Sequence, residues 1–140
     1  MADKFIDNTI SPSDNWTEVL NKFCHSLKNE MWIDYAIFKL VASKSTYSDI
    51  LTHLYKTIQD ISLNGSKATI YLSMKSLTVG DLDKHRSFIF DTIKKLSEEL
   101  PDTLEICYCY KTPFVFAQVY NMISVAIDKE TRQKVKIVKN

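Results

Sequence analysis

Glycine is almost missing: the 140-residue chain carries two, Gly65 and Gly80. Loops of the G-x-G-x-x-G or P-loop kind need several glycines close together, because backbone amides approach a phosphate closely only where no Cβ intervenes. Nucleotide enzymes of both types are therefore excluded. No G-x-S-x-G elbow occurs, which removes that hydrolase signature. Cysteine is scarce and odd in number, at three. No apolar leader opens the chain and no run of 18 apolar residues interrupts it, so the expectation is a cytoplasmic protein without a disulfide framework. Neither sign of charge dominates, since 18 basic and 17 acidic side chains leave +1. Any electrostatic attraction is then local, and the stretch from Lys111 to Asn140 is the basic one. That stretch lacks aromatics interleaved for base stacking, which argues against nucleic acid as a partner.

Metal and catalytic constellations are missing as well. His25, His53 and His85 each fall within a helical pattern, with no second His four residues away and no acidic pair nearby, so structural or surface roles are expected. Cys107 and Cys109 share one face of a strand. They have neither two further soft ligands nor a helix N-terminus to activate them, and they read as small buried hydrophobes. Asp81 and Asp83 stand where a helix begins, where acidic groups offset the helix dipole, so capping is the expected role. No nucleophile, base and orienting group assemble. The prediction is a protein that is not an enzyme, with no catalytic residue, metal or cofactor.

What is present is apolar patterning, 45% of the chain, enough for one domain over residues 13–140 behind a loose lead-in at 1–12. Ser13 or Asp14 is a candidate cap for a helix carrying Trp16, Val19, Leu20, Phe23, Cys24 and Leu27 and reaching about Asn29. "WIDYAIFKLVA", residues 32–42, reads as a strand. A second helix follows through Ile50, Leu54, Ile58 and Ile61 and ends at "NGS", where Gly65 takes the left-handed cap. "KATIYLSM" is a strand. A third helix through Leu82, Phe88, Ile89, Ile93 and Leu96 stops at Pro101. "TLEICYCY" is the next strand, Pro113 opens an oily helix over 114–127, and "VKIVK" is the last strand. Strands alternating with helices imply an α/β fold with a mostly parallel sheet of about four to five strands flanked by helices.

The segment "ELPDTLEICYCYKTPFVFAQVYNMISVAIDKETRQKVKIV", with "KATIYLSMKSLTVGDL" upstream, resembles the CRAL-TRIO lipid-binding domain family of phosphatidylinositol transfer proteins. Leu100 to Thr103, the strand 104–110, "KTPFVF", the helix 114–127 and "DKETRQKVKI" align with that family's helix end, strand, proline turn, gate helix and "xTxxK" turn. The resemblance implies a sheet flooring a hydrophobic pocket beneath the gate helix, with Phe114, Phe116, Val119, Tyr120, Ile123 and Ile127 as pocket and gate residues. It also implies Asp102, Thr131 and Lys134 as head-group residues, of which the lysine ammonium and threonine hydroxyl suit a phosphate.

The implied partners are a phospholipid, a phosphoinositide being the candidate, or another hydrophobic small molecule, together with a transient membrane surface. An alternative within the family is a protein-interaction module or homodimer without lipid cargo. Ser73 and Ser76 stand where the family has the Asp and Gly of a "DlkG" turn. Ala68 and Ile70 replace hydroxyl residues that contact phosphocholine. A STAS or flavodoxin-like layer sandwich is the alternative fold with the same alternation, and Ser76 and Thr78 lack its "DSSG" context.

Overall fold

The computed structural model describes residues 9–100 and 102–138. Residues 1–8 of the lead-in expected over 1–12, the proline stop at 101 and residues 139–140 fall outside the described residues. Five strands order sequentially, β1 (Cys24–Leu27), β2 (Glu30–Asp34), β3 (Ala68–Ser73), β4 (Leu104–Tyr110) and β5 (Val135–Ile137). β1 pairs antiparallel with β2, and β2 to β5 are parallel. Parallel neighbours need crossovers, and crossovers of a single hand in sequential order put their helices on one face. Residues of α1 (Trp16–Phe23), α2 (Tyr35–Val41), α3 (Tyr47–Leu63), α4 (Val79–Glu99) and α5 (Phe116–Ile123) accordingly meet over the same side of the sheet. The α/β class, the parallel sheet and the flanking helices are as the sequence pattern implies.

Three local readings are corrected. The first helix stops at Phe23, and residues 24–34 form a hairpin. Apolar residues at Phe23, Cys24 and Leu27 fit a helix, yet Cys24 is taken by pairing with Ile33 and by the His53 ring nitrogen, 2.7 Å from its carbonyl oxygen. Its cap is Asn15, in a capping box with Glu18, rather than Ser13 or Asp14; Asp14 instead accepts from Ser11 N–H and pairs with Lys22. The strand expected over 32–42 ends at Asp34, whose side chain accepts from Ala36 N–H at 3.0 Å and starts α2. Finally, the oily helix is shorter than 114–127. Pro113 opens a turn, α5 begins at Phe116, and a 3-10 turn covers Ser124–Ala126.

Other expectations hold in detail. Gly65 follows α3 with φ 77°. Asp81 belongs to a capping box with Thr78 and pairs with Lys39 at 3.3 Å. Burial pushes its carboxyl up, but the Thr78 amide, the Tyr35 hydroxyl and Lys39 together hold it below the usual carboxylate range. His85 is buried, with its Nδ1 2.6 Å from the Tyr47 hydroxyl; His25, expected within a helix, instead belongs to β1 and stacks on Trp32. Ser76 keeps φ 75°, the left-handed backbone that the glycine of the family turn adopts freely, and its carbonyl accepts from Lys39 Nζ at 2.7 Å.

Alternate residues of the strands divide the sheet into two faces. One is a row of rings in register, His25, Trp32, Tyr71 and Tyr108, stacked at 5.1, 5.5 and 5.6 Å between centroids and ending beside Lys136. The other faces the helices. A register shift near Ala68 pairs that residue with Leu104 and the next with Ile106, so Leu104 joins Cys107 and Cys109 on the helix side despite the odd spacing.

Candidate functional site

Between the sheet and the helices lies a cavity of about 310 Å³. Its floor is Ile33 of β2, Leu72 of β3, Cys107 and Cys109 of β4 and Val135 of β5. Its roof is Phe88, Ile89, Thr92 and Ile93 of α4 with Phe116, Val119, Tyr120 and Ile123 of α5. Phe23, Tyr35 and Phe38 contribute to the wall from α1 and α2. Two physical features keep it open. Cysteine side chains are short, so the floor over β4 is low. Rings of wall and roof pack on one another, Phe38 on Phe88 at 5.7 Å and Phe116 on Tyr120 at 6.0 Å between centroids. The bond to Cys109 and burial push the Cys107 thiol well up, which fits an inert lining role. Thr92 is buried, and its hydroxyl has no hydrogen-bond partner.

A second cavity of about 250 Å³ adjoins the first, and Ile93 and Ile127 line both. Ala68, Ile70 and Leu104 give it an apolar floor, and Leu96 and Leu100 of α4 an apolar side. The opposite side is polar: Asp102 and Thr103 after α4, then Asp128, Glu130, Thr131 and Lys134 around α6 (Lys129–Gln133). Asp128 caps α6 by accepting from Thr131 N–H at 2.8 Å. The Thr131 hydroxyl and amide hold the Asp128 carboxyl below its ordinary range. Lys134 Nζ lies 3.7 Å from Glu130, and the Lys134 carbonyl accepts from Cys107 N–H at 2.8 Å. The polar turn is thus tied to the strand that floors the apolar cavity.

Of the gate and pocket residues expected from the sequence, Phe116, Val119, Tyr120, Ile123 and Ile127 line the first cavity. Phe114 does not; it precedes α5 and is fully exposed. Asp102, Thr131 and Lys134 come together on the wall of the second cavity, 29 residues of sequence separating Asp102 from Thr131. Sequence reasoning missed the floor and the α4 side of the roof. Cys107 and Cys109 are readable as buried but not as lining a cavity, Phe88 carries only helical periodicity, and Thr92 carries no signal. Asp128 and Glu130 were visible as charge, with no signal that they face a cavity.

Among the described residues no helix is long and apolar enough to cross a membrane, and no group of three or more His, Cys, Asp or Glu could hold a metal ion. The family model of the CRAL/TRIO domain matches residues 42–140. Among solved structures, the crystal structure of Sfh5 matches with a TM-score of 0.64 at 17% identity, over 91% of this chain and 50% of that one. The chain spans half the length of that neighbour, and the likeness is one of fold. No curated protein matches significantly.

Proposed function

The chain belongs to the CRAL/TRIO domain family, whose members generally bind lipophilic ligands, and from that premise we propose that it binds a lipid in the apolar cavity with its head group in the adjoining polar one. The observation that carries this reading is the apolar lining of the cavity beneath α5, aliphatic and thiol side chains below and mostly aromatic and aliphatic ones above. A ligand tail that covers this lining gains about 0.8 kcal/mol per buried methylene.

The head group is assigned on charge. Three carboxylates, Asp102, Asp128 and Glu130, share the polar wall with one lysine. A bare phosphate would meet net repulsion there. A phosphate carrying a hydroxylated ring, as in a phosphoinositide, offers an anion to Lys134 and Thr131 and donors to the carboxylates. Exposed Phe114, Met122 and Val125 lie along the gate segment and offer apolar contact for a transient peripheral association with a membrane during loading and transfer. These same exposed residues favour a second reading, a protein-interaction or self-association surface. Light scattering tests it, since a stable dimer of the ligand-free protein would shift the assignment there.

Native mass spectrometry of the protein purified from cells tests the lipid reading. The expected spectrum contains an added mass of several hundred daltons that is lost on delipidation; a clean ligand-free mass together with no transfer between liposomes overturns it. Lys134→Ala is expected to weaken binding to phosphoinositide liposomes by about 1.5 to 3 kcal/mol, the range for a hydrogen bond to a charged group, at unchanged melting temperature. Equal binding by wild type and variant would remove the head-group assignment while leaving the tail site.

A further inference from the structure

Cys24, Cys107 and Cys109 are all free and all buried. Two of them differ from the third in what they face: Cys107 and Cys109 line the apolar cavity beneath α5, and Cys24 does not. Resting on the reading that this cavity admits a hydrophobic chain, we propose that the Cys107/Cys109 pair is a covalent capture site for apolar α,β-unsaturated carbonyl compounds, of the kind formed when unsaturated acyl chains oxidise. Among the described residues the cavity lining holds no lysine, arginine or carboxylate, so a carbonyl lodged there meets no amine with which to form an imine. It meets soft nucleophiles instead. The two thiols share one face of β4, between Ile70 and Leu72 of β3 on one side and Val135 and Ile137 of β5 on the other.

The apolar lining concentrates a hydrophobic electrophile beside the sulfurs, at about 0.8 kcal/mol per methylene covered, whereas a polar reagent gains nothing there. Within the pair the roles divide. The Cys107 thiol beside it holds the Cys109 thiol below the ordinary range, against the effect of burial. Cys109 therefore supplies the thiolate, the form that attacks. Its sulfur bonds to the β-carbon of the electrophile while the C=C π pair shifts through the α-carbon to the carbonyl oxygen. The resulting enolate takes a proton at the α-carbon, replacing the one the thiol gave up. The sum is addition of S–H across C=C, and neither an oxidant nor a reductant takes part. Cys24 is the built-in contrast, because burial pushes its thiol up to about 12 and it stands outside the cavity lining.

The test treats the delipidated full chain with pentyl vinyl ketone and methyl vinyl ketone, which share a reacting end and differ only in the tail, and locates the adducts by peptide mapping. The expected product carries one adduct, on Cys109, with Cys24 unlabelled. Measured against the rates of the two ketones with glutathione, the pentyl compound should react about tenfold faster or more. Cys109→Ser should lower labelling on β4 by a similar factor while keeping the melting temperature and the mass of bound lipid. Labelling of Cys24 as fast as Cys109 would trace the reaction to unfolding, and equal relative rates for the two ketones would take the cavity out of it. Either result overturns the capture site, as does an unchanged rate in Cys109→Ser. If native mass spectrometry shows bound lipid and no thiol on β4 reacts, capture fails and the lipid reading stands. If there is neither bound lipid nor reaction, both fall.

Discussion

The two faces of the sheet use alternate residues of the same strands and reach opposite results. On the outer face, Trp32, Tyr71 and Tyr108 lie in register across three neighbouring parallel strands, and strand spacing, about 4.8 Å, is close to the distance at which flat rings stack. The lattice of the sheet and the shape of the side chain agree, so this face is filled. On the inner face, the same strands offer Ile33, Leu72 and Cys109 in one row and Met31, Ile70, Cys107 and Val135 in the next. Aliphatic and thiol groups have no such match to the helices above them, and the volume between is left open. The cavity arises where side-chain shape and layer spacing disagree.

The largest expected effect breaks the filled face. Tyr71 is 6% exposed and stacked on both sides, by Trp32 and Tyr108. Tyr71→Ala should destabilise the protein by about 3 to 5 kcal/mol in denaturant unfolding, while ligand bound per folded molecule stays unchanged. Parallel loss of binding and stability would show that the two faces are not separable.

A milder change sharpens the same point. Tyr71→Phe keeps the ring and removes the hydroxyl that donates to Glu30, at an expected cost of about 1 kcal/mol. Burial first, and then the Glu30 bond, hold the Tyr71 hydroxyl at a pKa of about 12. The folded value lies above that of a free tyrosine, about 10, so the fold binds this proton more tightly than the unfolded chain does. The resulting stabilisation is complete below pH 10 and lost as pH rises through 12. Unfolding experiments across that window should show a slope that Tyr71→Phe reduces, the rest belonging to groups such as Tyr35 and Cys24 that burial also holds above their ordinary values.

On the open face the sign reverses. Cys109→Val adds bulk beside an existing void, and the ligand-free protein should gain about 0.8 kcal/mol, the value of one further buried methylene, while its capacity for alkyl chains falls. A loss of stability would mean that the inner face is packed as tightly as the outer. The smallest effect belongs to neither face. Phe114→Ser, at a fully exposed position, should change stability by less than about 0.5 kcal/mol and lower adhesion to phospholipid vesicles; unchanged adhesion would remove Phe114 from the membrane contact.

The residues that sequence reading placed wrongly share a cause. Cys24 and Leu27 continue the helical spacing of α1, and the hairpin that claims them turns at Lys28 and Asn29; the φ of 58° falls on Lys28, one place before the Asn that would usually supply it, so the turn signal is weak. Tyr35 to Val41 looks like a strand because aromatic and branched residues crowd it; the Asp34 cap that makes it a helix was present in the sequence and outweighed. Phe114 falls in the gate segment that the family resemblance implies, whereas the turn after Pro113 directs it outward. Asp102 is far from Thr131 and Lys134 in the motif, and folding brings them to one wall.

By itself the sequence determined the alternation of strands and helices, the parallel sheet and the exclusion of glycine-loop nucleotide chemistry, because periodicity, caps and missing residue types act over a few residues. It also determined that an oily segment follows Pro113. The tertiary structure alone decided that the inner face stays open, that its volume is about 310 Å³, and that Ile93 and Ile127 join it to a polar neighbour. A void is a property of how far layers stand apart relative to the side chains between them, and no local pattern in one strand or helix encodes the separation of two.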